Sequence, residues 1–285
     1  MTVPFRNFLR GFQCVASLVI SGMFGAIGLL RAEDLYVDYS LKPRVQRLTR
    51  PTLCILDPHA EVDIPASHEQ GHRLLAYVSL VEVAQGSLVD GLAQRHGLVT
   101  IGTNKDWNSH LLDILNPAWA DFIIEQCAAP ALAKGYDGLF FDTLDSVERL
   151  AGQDHALLKR YQAALATVIE RIAQRWPGHP LVVNRGFAML PRLKSHLSGV
   201  LIESIYHSFD PANKRYRVLP EADSAWLEGR IREVQAQGLK VYAVDYASPV
   251  QRTEALQAVR RLRKLGCVPL ITTHRLNGDV VAPEP

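Results

Sequence analysis

The sequence has few cysteines and no marked excess of either charge. Only four cysteines occur in 285 residues. Cys54, Cys127 and Cys267 are widely spaced and each sits in an apolar run. That pattern suits small buried hydrophobes better than a zinc site or a disulfide scaffold. The ten histidines are scattered along the chain and are read as no metal site, so neither metal nor cofactor is expected. No Gly-x-Ser-x-Gly elbow is present, which argues against a serine esterase. No Gly-x-Gly-x-x-Gly or P-loop follows an early strand, which argues against a nucleotide-binding open sheet. Charge of one sign is also missing: 31 Lys and Arg stand against 29 Asp and Glu. Without a basic field, nucleic acid is not expected as a partner.

One long hydrophobic run does exist, at the start. Arg6 and Arg10 precede an uncharged stretch from Gly11 to Leu30, and small Ala32 comes just before Glu33-Asp34. This order of charge, apolar run and small residue predicts a secretory signal peptide over residues 1–32. The apolar run is also long enough to remain as an uncleaved anchor, which would be the only route to membrane association. Cleavage removes Arg6, Arg10 and Arg31 and no acid, taking the formal charge from +2 to −1. An exported, periplasmic or secreted protein is expected, monomeric, with one domain over residues 33–285.

What remains is rich in short apolar runs that alternate with helical patterns. The runs are Leu35–Asp38, Thr52–Asp57, Leu74–Ser79, Gly138–Asp142, Leu181–Asn184, Val200–Glu203, Lys240–Asp245 and Val268–Thr272. Being apolar on both faces, they suit parallel strands covered on both sides. A weaker run, Leu98–Ile101, reads as loop. Asn116-Pro117 should open a helix over 118–134 that Gly135 closes. Ser248-Pro249-Val250-Gln251 reads as a capping box at the head of the last helix. Eight strands alternating with helices predict a (β/α)8 TIM barrel.

In such a barrel the active site lies at the C-terminal ends of the strands. Five runs end in an acid: Asp38, Asp57, Asp142, Glu203 and Asp245; Glu82 follows a sixth. Any one acid there could simply cap the next helix. A whole ring of them, interleaved with Tyr39, Trp107, Phe141, Tyr206 and Tyr246, suggests a polyhydroxylated or amino-bearing ligand. Glycosidic cleavage needs two carboxyl groups, one as acid and one as nucleophile or base. Asp142 and Glu203 are the best candidates, because apolar strands deliver both to the mouth where partial burial raises a carboxyl pKa.

Around those two acids the sequence resembles a known family. The segments are Leu75-Ala76-Tyr77-Val78-Ser79 with Glu82, Asn116-Pro117-Ala118-Trp119, the block Gly135 to Ser146, Asn184-Arg185-Gly186-Phe187, Glu203-Ser204 and Val244-Asp245-Tyr246. They are similar to the glycoside hydrolases of the endo-α-1,4-polygalactosaminidase type, in particular the N-terminal hydrolase domain of the Pel exopolysaccharide hydrolase/deacetylase. The resemblance implies a TIM barrel that hydrolyses α-1,4-linked galactosamine or N-acetylgalactosamine exopolysaccharide without a metal, with catalytic acids matching Asp142 and Glu203. It implies a cleft lined by Asp57, Glu82, Asn184, Tyr206, Asp245 and Tyr246. With Pro285 as the last residue, no coupled deacetylase is expected in the same chain.

Other residues are weighed on their own. Tyr39, Trp107, Asp145 and Arg185 are expected to contact substrate, with Trp107 as a sugar platform; Trp119 reads as core. His59 and His274 sit near the mouth and read as structural. Two readings compete with a glycosidase. One is a non-catalytic barrel that binds polysaccharide, with both acids paired to basic side chains; the other is a metal-dependent carbohydrate deacetylase.

Overall fold

The computed structural model describes residues 34–282; the expected leader lies outside the described residues. In chain order the strands are β1 (Asp34–Asp38), β2 (Thr52–Leu56), β3 (Arg73–Ser79), β4 (Glu82–Ala84), β5 (Thr100–Asn104), β6 (Ser109–Leu112) and β7 (Gly138–Asp142). Then come β8 (Leu181–Asn184), β9 (Gly199–Glu203), β10 (His207–Asp210), β11 (Arg215–Val218), β12 (Lys240–Tyr246) and β13 (Val268–Thr272). Eight of them, in the order β1-β2-β3-β7-β8-β9-β12-β13, form one parallel sheet. They correspond to the eight apolar runs, and the expected (β/α)8 barrel is the fold.

Strand alternation divides the apolar residues into two cores. Leu35, Val37, Leu53, Ile55, Leu75, Phe140, Val182, Leu201, Tyr242, Val244 and Leu270 fill the barrel interior. Tyr36, Cys54, Leu56, Leu74, Phe141, Val183, Ile202 and Val241 face outward, where the helices cover them. Trp119 is in this outer layer, 1 % exposed, and its indole N–H donates to Leu80 O at 2.9 Å. Double-sided burial explains why the runs lack the polar alternation of an exposed sheet.

The seam between first and last strands is closed by the chain's own tail. Leu276 O accepts from Tyr39 N at 2.7 Å, Gly278 N donates to Val37 O at 3.1 Å, and Thr272 bridges Val280. The segment after β13 therefore satisfies the backbone groups of β1 that would otherwise form an open edge.

Two excursions decorate the C-terminal rim. Between β3 and β7, β4, β6 and β5 make a three-stranded antiparallel sheet. The segment expected to be loop around Leu98–Ile101 thus enters a strand at Thr100, outside the barrel. After β9, β10 and β11 form an antiparallel hairpin. The helix after Pro117 runs as expected to Lys134, with a π-helical stretch at Ile123–Ala128, and Gly135 ends it in the left-handed region at φ +108°. The last helix starts later than its capping box suggests, at Arg252. Gln251 Oε1 does accept from Ser248 N at 3.0 Å, but Gln251 N donates to Ser248 O, so those four residues close a turn before the helix. No helix among the described residues is long and apolar enough to cross a membrane. Cys54, Cys127 and Cys267 are free thiols.

Candidate active site

Three neighbouring strands, β7, β8 and β9, end in Asp142, Asn184 and Glu203, and in each the alternation that points Phe140, Val182 or Leu201 inward points the terminal residue inward too. Each is followed by a non-glycine residue with positive φ: Thr143 at 65°, Arg185 at 54° and Ser204 at 55°. This conformation is sparsely populated, and its recurrence behind three rim residues is strain of the kind stored at functional sites. Local bonds hold it. Arg185 N donates to Leu201 O and Ser204 N to Val244 O, both at 2.8 Å, extending the ladder past the strand end. Thr143 Oγ1 accepts from Val81 N at 2.9 Å and donates to Asp142 O at 2.7 Å.

The three inward side chains form one unit. Asn184 Nδ2 donates to Asp142 Oδ1 at 2.8 Å and also to Glu203 Oε1. Asp142 Oδ1 also accepts from Thr143 N at 2.8 Å, and Tyr77 lines the cavity beside it. The Tyr246 hydroxyl donates to Glu203 Oε2, and the Arg185 guanidinium donates to Glu203 O at 2.9 Å. Burial, then the charge of Glu203, pushes the Asp142 carboxyl up to about 6, against the pull of its hydrogen bonds from Asn184 and Thr143. The hydroxyls of Tyr39, Tyr77 and Tyr246 are raised well above their ordinary range, first by burial and then by the neighbouring carboxylates. They are neutral donors at any physiological pH.

A cavity of about 590 Å³ lies over this unit. Of the residues expected at the site, it brings together Tyr39, Glu82, Trp107, Asp142, Asp145, Asn184, Arg185, Glu203 and Tyr246. Tyr39 stacks against Tyr77, ring centroids 4.7 Å apart, and Trp107 is 62 % exposed at the edge. Glu82 is 7 % exposed and accepts from Asn104, from Ser109 Oγ and from Ser146 Oγ at 2.6 Å. All these donors are uncharged, and Glu82 is among the residues lining the cavity.

Three expected residues are elsewhere. Asp245 faces outward, because Tyr242, Val244 and Tyr246 take the inward positions of β12. It is fully buried and accepts from the backbone N–H groups of Ile205 and Tyr206, pinning the chain after β9. Tyr206 is in the same outer layer, its hydroxyl donating to Glu228 at 2.9 Å with the Arg261 guanidinium 3.9 Å from its ring centre. Asp57 falls beyond the end of β2, where its carboxylate accepts from His59 N at 2.7 Å in a tight turn and lines no part of the cavity. Asp38 likewise faces out and accepts from Tyr36, at 2.6 Å, and Ser40.

The cavity also holds residues that were not expected: Tyr77, Asn104, Ser109, Ser146 and Arg149. Tyr77 was legible by parity, two positions before Ser79 on the face of Leu75; Asn104 and Ser109 arrive through the side sheet, which no strand pattern announces. His274 also reaches the cavity edge, stacked on Phe209 at 3.8 Å. Contrary to the expectation of histidines without metal-ligand pattern, His68-Glu69-Gln70-Gly71-His72 has the spacing of a zinc-binding helix. The continuous helix that this motif requires is not formed. The helix ends at Glu69, Gly71 turns left-handed at φ +82°, His68 bonds Asp137 at 2.9 Å, and His72 is buried against Gln70. No group of three or more potential metal ligands occurs among the described residues.

The model of glycoside-hydrolase family GH114 matches residues 36–284, the whole barrel. The chain belongs to family GH114. A GH114 member is a glycosidase, and the carboxylate pair at the barrel mouth is of the kind that chemistry uses. A comparison with curated proteins finds no match. Among solved structures, the glycoside hydrolase domain of PelA from Pseudomonas aeruginosa is 31 % identical with a TM-score of 0.76, covering 87 % of this chain and 98 % of that one. Ega3 of Aspergillus fumigatus, solved in complex with galactosamine, shares the fold at 15 % identity and a TM-score of 0.59, over 87 % and 92 % of the two chains. A GH18 chitinase from Pseudoalteromonas aurantia shares it at 10 % and 0.52, over 87 % and 97 %.

Proposed function

We propose that this GH114 glycosidase is an exported endo-hydrolase of α-1,4-linked galactosamine or N-acetylgalactosamine polysaccharide, working by two-step retention with Asp142 as nucleophile and Glu203 as acid and base. The single observation that carries the mechanism is the shared donor. Two hydrogen bonds from one nitrogen leave the facing oxygens of Asp142 and Glu203 no more than about 5.5 Å apart, the separation of retaining glycosidases rather than the wider gap that inversion needs for a water. The substrate class rests on the likeness to PelA and Ega3 and on Glu82. That buried carboxylate has no cationic partner in the hydrogen bonds it makes, and the ammonium of a galactosamine unit would supply one.

The roles follow from hydrogen bonding. Asp142 accepts from Thr143 N–H and Asn184, and donors aimed at a carboxylate favour its ionised form. A carboxyl raised to about 6 is mostly ionised at neutral pH and ready to attack the anomeric carbon. Glu203 gives its proton to the leaving oxygen, and then takes one from the water that opens the glycosyl–enzyme bond. Tyr246 and Asn184 orient it meanwhile.

Neither acid is engaged by a basic side chain, which disfavours a purely binding barrel. The test is to incubate residues 33–285 with a defined galactosamine polymer and follow its size and the anomeric form of new ends by NMR. Shorter chains whose new ends first appear in the anomeric form of the substrate are expected. Unchanged polymer would overturn the substrate assignment, and new ends of the opposite form would overturn retention.

A further inference from the structure

A second cavity, of about 370 Å³, opens beside the first and is joined to it by Arg185 and Ser204, which line both. Its remaining wall includes Arg217 from β11 and Asp223 and Trp226 from the helix Glu221–Ala236. We infer that it is a subsite for an N-acetylated, uncharged sugar unit of the polymer, outside the pair of units between which cleavage occurs. The inference rests on the glycosidase reading above and adds a position and a chemical preference to it.

Three observations carry it. The first is place. Around the barrel the order is β3, β7, β8, β9; Trp107 belongs to the excursion after β3 and Trp226 to the helix after β9. The two exposed tryptophans therefore flank Asp142, Asn184 and Glu203 from opposite sides, and a chain crossing the mouth along this line meets an indole at either end.

The second is the state of Trp226. It is 55 % exposed, although it is the kind of side chain that folding normally buries. Its orientation is nevertheless set. Phe187 meets it edge-on, centroids 6.0 Å apart at 87°, and the Arg230 guanidinium lies 5.6 Å from its centre. Phe187 follows Asn184-Arg185 in the chain, so the platform is tied to the catalytic strand end. A held, exposed indole beside a catalytic cavity offers an apolar face to the C–H face of a sugar.

The third is charge. Arg185 and Arg217 outnumber Asp223 around this cavity, whereas Glu82, Asp142, Asp145 and Glu203 outnumber Arg149, Arg185 and Arg275 around the first. An ammonium is disfavoured beside two guanidinium groups. An acetamide carbonyl, by contrast, is an acceptor for guanidinium N–H donors. The groove thus reads acetylation unequally along its length: free amine near Glu82, acetamide near Trp226.

The test measures binding without turnover. Partly N-acetylated and fully deacetylated galactosamine oligosaccharides are titrated by calorimetry into Glu203→Gln, Glu203→Gln/Trp226→Ala, Glu203→Gln/Trp226→Phe and Glu203→Gln/Arg217→Glu proteins. Trp226→Ala should weaken binding of the acetylated ligand about tenfold, with Trp226→Phe recovering most of it. Arg217→Glu should shift preference toward the deacetylated ligand by a similar factor. Affinities within about twofold of the Glu203→Gln parent for both Trp226→Ala and Arg217→Glu, or no measurable binding by the parent, would overturn the subsite. Polymer shortening by the unmodified enzyme is assayed in parallel. If it occurs while the subsite affinities stay flat, only this inference falls; if it does not occur, the reading beneath falls as well.

Discussion

Asp142 and Glu203, on strands separated by one in the barrel, accept from the same nitrogen, Nδ2 of Asn184. A neutral amide thus clamps two carboxyl groups that would otherwise repel each other. The clamp fixes their spacing, and it offsets part of the burial that raises Asp142. Three predictions rest on this relationship, and a fourth on the packing that holds the strands under it.

Removing either carboxylate should stop catalysis with the fold intact. Asp142→Asn and Glu203→Gln are each expected to lower kcat by about 10³-fold or more, read from reducing ends released from a galactosamine polymer, with unchanged circular dichroism. Azide added to small variants should give product of inverted configuration at one position only. That position is expected to be 142, as direct attack replaces the missing nucleophile.

The same Asp142→Asn change should stabilise the protein at neutral pH. A carboxyl whose folded value is about 6 lies above its ordinary one, so ionisation works against folding. The penalty is absent below the ordinary carboxyl range, grows as pH rises, and is complete once pH passes the folded value. Thermal melts at pH 7.5 should therefore place Asp142→Asn a few degrees above the parent, with the gap closing toward pH 4. A variant that melts lower at pH 7.5 would show that Asp142 is not held against its ionisation.

Activity should fall on the acid side as Asp142 takes up its proton, with the kcat/KM limb near pH 6. Because the Asn184 bond lowers the Asp142 value, Asn184→Ala should move this limb to higher pH while cutting kcat by about 10²-fold through lost positioning. Tyr246→Phe removes a donor from Glu203 and should leave the acid limb nearly where it is, since Tyr246 makes no hydrogen bond to Asp142. Limbs that move equally in both variants would refute the separate roles.

Gly138, at the start of β7, is packed against the neighbouring strand's approach. A Cβ there would fall far inside contact with the carbonyl oxygen of Pro180, which itself accepts from Leu139 N at 3.0 Å. Neither atom can give way without breaking the β7–β8 ladder. Gly138→Ala should destabilise by about 3 kcal/mol or more, measured by urea unfolding, and reduce activity because Asp142 ends the same strand.

Much of this molecule is decided locally. The eight barrel strands follow from short runs apolar on both faces, and the two catalytic candidates from the acids that end them. Inward and outward positions were also open to inspection: Leu53 and Ile55, or Val244 and Tyr246, set the parity by which Asp245 must face the helices. Two of the three misplaced rim residues have that local character. Asp245 is one residue short of the end of its strand, and Asp57 is one residue beyond the end of its own, where a turn captures its carboxylate. Tyr206, by contrast, follows the left-handed turn at Ser204, after which strand parity no longer applies.

The chain on its own determined the period, the order of the strands and the chemical type of their ends, because those depend on residues a few positions apart. Tertiary structure alone decided that one amide joins Asp142 to Glu203, that a side sheet carries Asn104 and Ser109 to Glu82, and that residues 276–280 seal the barrel. Each is a contact between separate strands or segments, created by pairing in the barrel, the side sheet or the tail, and no local pattern encodes the distance it spans.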